Sequence, residues 1–387
     1  MKAIALRIAL AAASTALGTL LLGGLAAAQD TVKIGVTQPL TGAFAASGNY
    51  VAQGAKLAEE EINRGGGVLR RPIALIVEDN KSNPTEAVAT AEKLIVKDKV
   101  PVMMGAWSST LTLAIMPKLE EYKVPMLVET SSSGKITVSG NPYVFRISPT
   151  SQMEATAFAP LFAKLGIKKA DFLSTNNDFG LGAAKEFSEA AKANGVAVGV
   201  METMDPKATD FSAQLAKIKA SDGDTLFVTT AVEQITLILK QAREQRLTQR
   251  IITTGGSNSP DQLIAQAGEA ANGSMHLVFF TPWFPDAVKN PDVAKQFLAL
   301  WKEKNLPVGG LTEGFRGWDG IHVIVAAINA AGVAEAEAIR KALWTVKVRG
   351  INGDIAFIKQ GPAGQESAQN VPSVYVVKIA DGKVTKM

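Results

Sequence analysis

Two short stretches of hydroxyl side chains have the types and spacing to hold a small anion: Ser108-Ser109-Thr110 and Thr130-Ser131-Ser132-Ser133. Each follows a short apolar run that reads as a buried strand. That places each at a strand's carboxyl end, where open α/β sheets bind ligands. Ser108-Ser109 leads directly into a helical pattern, and the first N–H groups of a helix have no partner within it. A carboxylate docked there meets hydroxyl donors, backbone N–H donors and the positive end of the helix dipole together. Such charge-assisted bonds contribute about 1.5–3 kcal/mol each, so three or four reach the roughly 8 kcal/mol of micromolar binding. Helix capping alone accounts for any one of these serines. Two clusters on loops flanking one crevice point to a site.

The loops Thr175–Gly180, Thr229-Thr230-Ala231-Val232 and Thr254-Gly255-Gly256-Ser257-Asn258-Ser259 fall at further strand ends and are placed to close over a ligand. Trp107 and Phe179 are candidate apolar walls, although aromatic rings serve equally as core. The polar loop around Trp107 argues against a fully buried ring.

The groups that catalysis needs are missing. His276 and His322 are the only two histidines, and neither is spaced with another metal ligand. No H-E-x-x-H, G-x-x-x-x-G-K-[ST] or G-x-S-x-G occurs. Gly180-Leu181-Gly182 is half of a dinucleotide fingerprint, with Lys185 in the third glycine's place. With no cysteine, disulfides, thiolate metal sites and cysteine nucleophiles are excluded. The expectation is recognition without catalysis, with no metal and no cofactor.

The elements that must position these loops alternate between strand and helix. Strands are expected at 32–37, 73–78, 100–105 and 125–128, with helices at 50–63, 84–96 and 109–121 between them. A second series follows: helices at 153–165, 181–193, 211–220 and 233–245, with strands at 170–174, 197–202, 225–229 and 250–253. Val88, Ala91, Leu94 and Ile95 show the helical period, and Pro84 suits a first turn. Repeated βα units imply parallel sheets covered by helices on both faces. The late helices at 287–304, 313–331 and 334–343, flanked by strands near 275–280 and 346–358, suggest that the chain revisits the first lobe before finishing in the second. The expected division is 29–147 with 279–350, and 148–278 with 351–387.

A length of 387 residues suits two domains, and 47% hydrophobic with 20% charged residues argues against disorder. Residues 1–28 combine Lys2 and Arg7, an apolar run and Ala26-Ala27-Ala28, the layout of a cleaved secretory signal. A membrane anchor is the alternative, but alanines fill the run and no basic stop-transfer flank follows. Removing that segment takes the net charge from +4 to 4 − 2 = +2, which gives no reason to expect nucleic acid.

Beyond Thr31 the chain resembles, over nearly its full length, the periplasmic substrate-binding proteins of branched-chain amino acid and amide ABC transporters, the leucine/isoleucine/valine-binding protein family. The resemblance is carried by IGVTQPLTGAFAASGNYVAQGAKLAEEEIN, GGGVLRRPIALIVED, MMGAWSSTLTLAIMPKLEEYKVPML, NDFGLG and GWDGIHVIVAAI. It implies an α/β type I periplasmic binding fold, with two doubly wound parallel-sheet lobes joined by a three-crossing hinge around the ligand. It also implies a periplasmic monomer serving permease and ATPase subunits at the inner membrane, or a sensing module on the same lobes. By resemblance, Ser108 and Ser109 take a ligand carboxylate. Ser131 and Ser132 supply a carbonyl and a hydroxyl near an amino group, and Phe179 stands where tyrosine is common.

Two departures bear on the ligand. Gly256 or Ser257 replaces an acidic residue, and Ala231 or Val232 replaces a covering aromatic. A buried ammonium without a carboxylate costs several kcal/mol. Unless Asp178 or Glu129 supplies that charge, an aromatic or apolar carboxylic acid fits better than an α-amino acid. Glu129 also reads as a strand-end residue paired with a lysine.

Overall fold

The computed structural model describes residues 31–256 and 258–387, so the expected export signal and Ser257 lie outside the described residues. The first lobe begins with β1 (Val32–Gln38), α1 (Ala45–Arg64), β2 (Ile73–Asp79) and α2 (Pro84–Glu92), which continues as a π-helical turn at Lys93–Lys97. It goes on through β3 (Met103–Met104), α3 (Ser109–Tyr122), β4 (Met126–Val128), α4 (Lys135–Val138) and β5 (Val144–Arg146). Asn83 caps α2 by accepting from the N–H groups of Thr85 and Glu86, and Pro84 occupies the first turn as expected.

The second lobe comprises α5 (Ser151–Lys164), β6 (Lys169–Thr175), α6 (Asp178–Ala193), β7 (Ala197–Met204), α7 (Ser212–Lys219) and β8 (Thr225–Thr229). It continues with α8 (Val232–Glu244), β9 (Arg250–Thr253), α9 (Pro260–Ala267) and β10 (Met275–Val278). The chain then adds α10 (Pro291–Glu303), α11 (Leu311–Ala331) and α12 (Ala336–Leu343). The hairpin β11 (Val348–Gly350) and β12 (Gly353–Ile355) follows. Last come β13 (Ile358–Gln360), β14 (Ser367–Gln369), β15 (Tyr375–Ala380) and β16 (Lys383–Lys386).

The two seven-stranded sheets have the orders β13-β14-β5-β4-β3-β1-β2 and β16-β15-β10-β9-β8-β6-β7. In both, the first strand of the lobe lies between the second and third, so the winding reverses between β1 and β3 and between β6 and β8. A crevice opens at such reversals, beyond the strand carboxyl ends. The chain passes between the lobes three times: after β5, after β10 and between β14 and β15.

The tail departs from the sequence expectation. The return to the second lobe was placed at residue 351, yet β13 and β14 extend the first sheet, with β14 parallel to β5. Only β15 and β16 join the second sheet, β15 antiparallel to β10. Strands of three residues show no alternation to read. Their place is set by partners far away in sequence, as where Gln369 of β14 accepts from the Arg146 side chain at 2.6 Å. The strand expected across 346–358 is instead the β11–β12 hairpin followed by β13.

Helix α11 brings the late chain into the site by lying almost backbone to backbone on α1. A Cβ on Gly54 would fall 1.8 Å from the carbonyl oxygen of Gly314, and one on Gly317 would fall 2.0 Å from that of Val51. This contact fixes the turn between Gly314 and Gly317. Arg316 on that turn and Glu313 just before it are both buried.

Candidate ligand site

Ser108 occupies the cap position of α3 with extended dihedrals (φ −86°, ψ 138°), but its side chain makes no capping bond. Only its carbonyl serves the helix, accepting from Thr112 N–H at 2.9 Å. The simple capping explanation therefore fails for Ser108, and the N–H groups of Ser109, Thr110 and Leu111 precede the first intrahelical bond. Ser109 Oγ accepts from Ser133 N–H at 3.1 Å, tying the two serine loops together while keeping its own proton to donate.

The second loop is shaped from beneath by Arg146 of β5. Its Nη1 donates to the carbonyls of Ser131 (3.2 Å) and Ser133 (2.6 Å), and its Nη2 to Thr137 Oγ1 (2.6 Å). Burial without a carboxylate partner lowers its pKa to about 9. The Ser131 carbonyl also accepts from Ser148 Oγ at 3.1 Å, so both its lone pairs are engaged. The Ser131 hydroxyl donates to the Trp107 carbonyl at 2.9 Å and shares a bond with Thr112. Ser131 thus ties loops together, which differs from the free carbonyl that the resemblance implied. Ser132 accepts from Ser151 N–H through its carbonyl, and its hydroxyl lies 3.2 Å from that of Ser151.

Across the crevice, the second lobe presents apolar surface. Thr229 and Thr254 hydroxyls bond each other at 2.6 Å, and Thr230 bonds Gln234. The ring of Phe179 lies against Gly255, and Ala231 joins the apolar cluster that contains Trp107, Phe44 and Phe279. Gly256 has φ +63°, and a Cβ there would fall 2.4 Å from the Phe279 ring. No acidic side chain fits at that position.

Asp178 has another task. It receives Lys135 Nζ at 2.8 Å and Thr110 Oγ1 at 3.1 Å, so it bridges the lobes at the start of α6. A second bridge runs from Ala46 N–H to Glu233 Oε1 at 3.1 Å. Asp178→Ala should speed ligand release about fivefold, the worth of one partly exposed bridge of about 1 kcal/mol. Stopped-flow dissociation reads this directly, and an unchanged release rate would remove the bridge from the account.

The residues that sequence reasoning missed are charged. Trp107, expected to keep some exposure, is only 4% exposed. Phe44 packs on it at 5.0 Å, and its Nε1 donates to Glu313 Oε2 at 3.3 Å. Arg316 donates from Nη2 to the Gly256 carbonyl at 2.5 Å, approaches Glu313 at 3.5 Å and lies 4.9 Å over the Phe279 ring. Glu154 of α5 accepts from Gly255 N–H at 2.7 Å. Glu129 is bonded to Gln38 Nε2 at 2.8 Å, rather than to the lysine expected for it. Burial pushes Glu154 up to about 8 and Glu313 up to about 7, with Arg316 pulling both part of the way back. Glu129 is raised for the same reason. The available signal was the pair Glu313 and Arg316, three apart in an otherwise apolar helix pattern. Glu154, in a first turn, passes as an ordinary dipole-matched acid.

Two doubly wound lobes, three crossings and an uncapped helix start facing the opposite lobe define a hinged solute-binding protein. The family comparison agrees: a model described as periplasmic binding protein matches residues 31–383, and the chain belongs to that family. It is 28% identical over 94% of its length to a Leu/Ile/Val-binding protein homolog from Brucella melitensis, 95% of which is covered. A leucine binding protein from Thermotoga maritima superposes with TM-score 0.81 at 30% identity, covering 92% of this chain and 97% of that one. An ABC-transporter solute binding protein from Rhodopseudomonas palustris BisB5, in complex with 3,4-dihydroxy benzoic acid, gives TM-score 0.80 at 27% identity, covering 92% and 96%.

Proposed function

We propose that this chain is the exported solute-binding component of an ABC importer, and that it captures a small amino acid, amide or related carboxylate between its lobes without transforming it. The observation that carries this reading is Ser108, a cap-position serine whose hydroxyl leaves the helix uncapped beside three unpaired N–H groups. The export signal is removed after Ala28, the protein acts as a periplasmic monomer, and permease and ATPase subunits at the inner membrane receive it. Relatives that bind leucine and a benzoic acid support the solute class.

A thermal-shift panel of amino acids, amides and small organic acids tests the reading. A true ligand at a hundredfold excess over its dissociation constant should stabilise the protein by about 2.7 kcal/mol. No shift with any of them would end it. Ser108→Ala with Ser109→Ala should weaken a carboxylate ligand by about 2–3 kcal/mol, a loss of roughly thirtyfold to over a hundredfold. Calorimetry that finds wild-type affinity would move the anion elsewhere.

A second reading, an acid lacking an α-amino group, draws support from Gly256, where no carboxylate fits, and from Asp178, which is engaged between the lobes. Ala231, in place of a covering aromatic, adds room for a ring.

A further inference from the structure

Three buried carboxyls, Glu129, Glu154 and Glu313, and the partly buried Glu233 share one pattern: each has one oxygen held by the protein and one without a partner. In Glu154 the held oxygen takes Gly255 N–H, in Glu313 Trp107 Nε1, in Glu129 Gln38 Nε2 and in Glu233 Ala46 N–H. The opposite oxygens, together with Arg316 Nη1, are buried and unpartnered. Buried polar atoms are nearly always paired in native proteins, so a convergent set of orphans marks groups that await a ligand or water. Arg316 is the cation whose charge acts on Glu129, Glu154 and Glu313, so acceptors outnumber cations here. This part of the crevice suits a hydrogen-bond donor. Two aromatic rings meet the same groups: Trp107 through its Nε1 on Glu313, and Phe279 beneath Arg316.

We propose that the ligand is a ring-bearing acid with a hydroxyl or amino donor at the end away from its carboxylate, and that Glu154 and Glu313 receive that donor. The inference rests on the capture of a carboxylate at α3 described above and adds what the other end of the molecule must carry. The carboxylate meets Ser108 and Ser109, the ring lies between Trp107 and the glycines of the second lobe, and the donor reaches the free oxygens. Hydroxyl and amine satisfy the same acceptors, and only measurement separates them.

Calorimetry with benzoate, 4-hydroxybenzoate, 4-aminobenzoate and terephthalate tests this. 4-Hydroxybenzoate or 4-aminobenzoate should bind at least about fivefold tighter than benzoate, as a hydrogen bond that pairs a buried, otherwise unpartnered acceptor provides. Terephthalate, which brings no donor, should gain nothing over benzoate. In Glu154→Met with Glu313→Met that preference should fall below about threefold while benzoate affinity holds, and glutamine at both positions should restore part of it. Melting curves establish that the variants fold. Should the methionine pair unfold, each single variant carries the same comparison. Equal binding of benzoate and its para-substituted forms, a preference that survives the methionine variants, or terephthalate binding best would each overturn the inference. If leucine binds but no ring acid does, the inference falls while solute capture stands. If no carboxylate binds at all, both fall.

Discussion

Arg146→Met is expected to lower the unfolding free energy by about 3–5 kcal/mol, the usual consequence of removing a buried, hydrogen-bonded charge. The guanidinium gathers the carbonyls of Ser131 and Ser133, the hydroxyl of Thr137 and the amide oxygen of Gln369. Methionine fills a similar volume and donates nothing, so these acceptors lose a buried partner together. Arg146→Lys should recover only part of the loss, because an ammonium cannot fork to acceptors in several directions. Since Arg146 also shapes the loop that meets Ser109, ligand affinity should fall with stability. A urea midpoint shift worth less than about 1 kcal/mol would mean that the loop holds its shape without the cation.

Raising the pH from 6.5 to 8 should cost the ligand-free protein about 4 kcal/mol of stability. Burial pushes Glu154 and Asp319 up to about 8 and Glu313 up to about 7. Glu154 and Asp319 hold most of their protons in the folded state over that interval and Glu313 gives up its proton within it, while the unfolded chain has already lost all three. The folded state therefore binds more protons, and stability falls as pH rises. Groups held near 8 contribute about 1–2 kcal/mol each and Glu313 under about 1 kcal/mol. His276, lowered to about 3 by burial between Thr253 and Ser274, works in the opposite direction. Its contribution is lost as pH drops below about 6.5, so it offsets little above that point. Chemical denaturation at several pH values reads the slope, and Glu154→Gln with Asp319→Asn should flatten it. A stability that rises toward pH 8 would show that these carboxyls are ionised in the folded protein.

What the sequence made legible was local. The βα alternation came through because helices such as α8 and strands such as β8 carry their period within a few residues. Ser108 and Ser109 were readable because helix starts have a small chemical vocabulary. Strand β5 was missed, and Arg146 with it, because three residues carry no alternation. The first turn of α1 was missed because Ala45 to Gly48 lacks an apolar stripe; Gly48 is there because a Cβ would sit 2.2 Å from the Pro39 carbonyl. Glu154, Gly256 and Arg316 meet only once the chain has crossed between lobes, and no spacing announces a contact between residues so far apart. Trp107 misled for the same reason: its polar neighbours in sequence suggested exposure, while Phe44 and Glu313 cover it in space.

The glycine-lined contact between α1 and α11 limits how this protein can acquire a new solute preference. Without side chains to compress between them, neither helix can slide to make room, so Glu313 and Arg316 are anchored like fittings on a fixed wall. Variation belongs on the opposite side, on the loop that carries Ala231. A library aimed at altered selectivity should therefore spend its diversity on the second lobe and keep α11 constant.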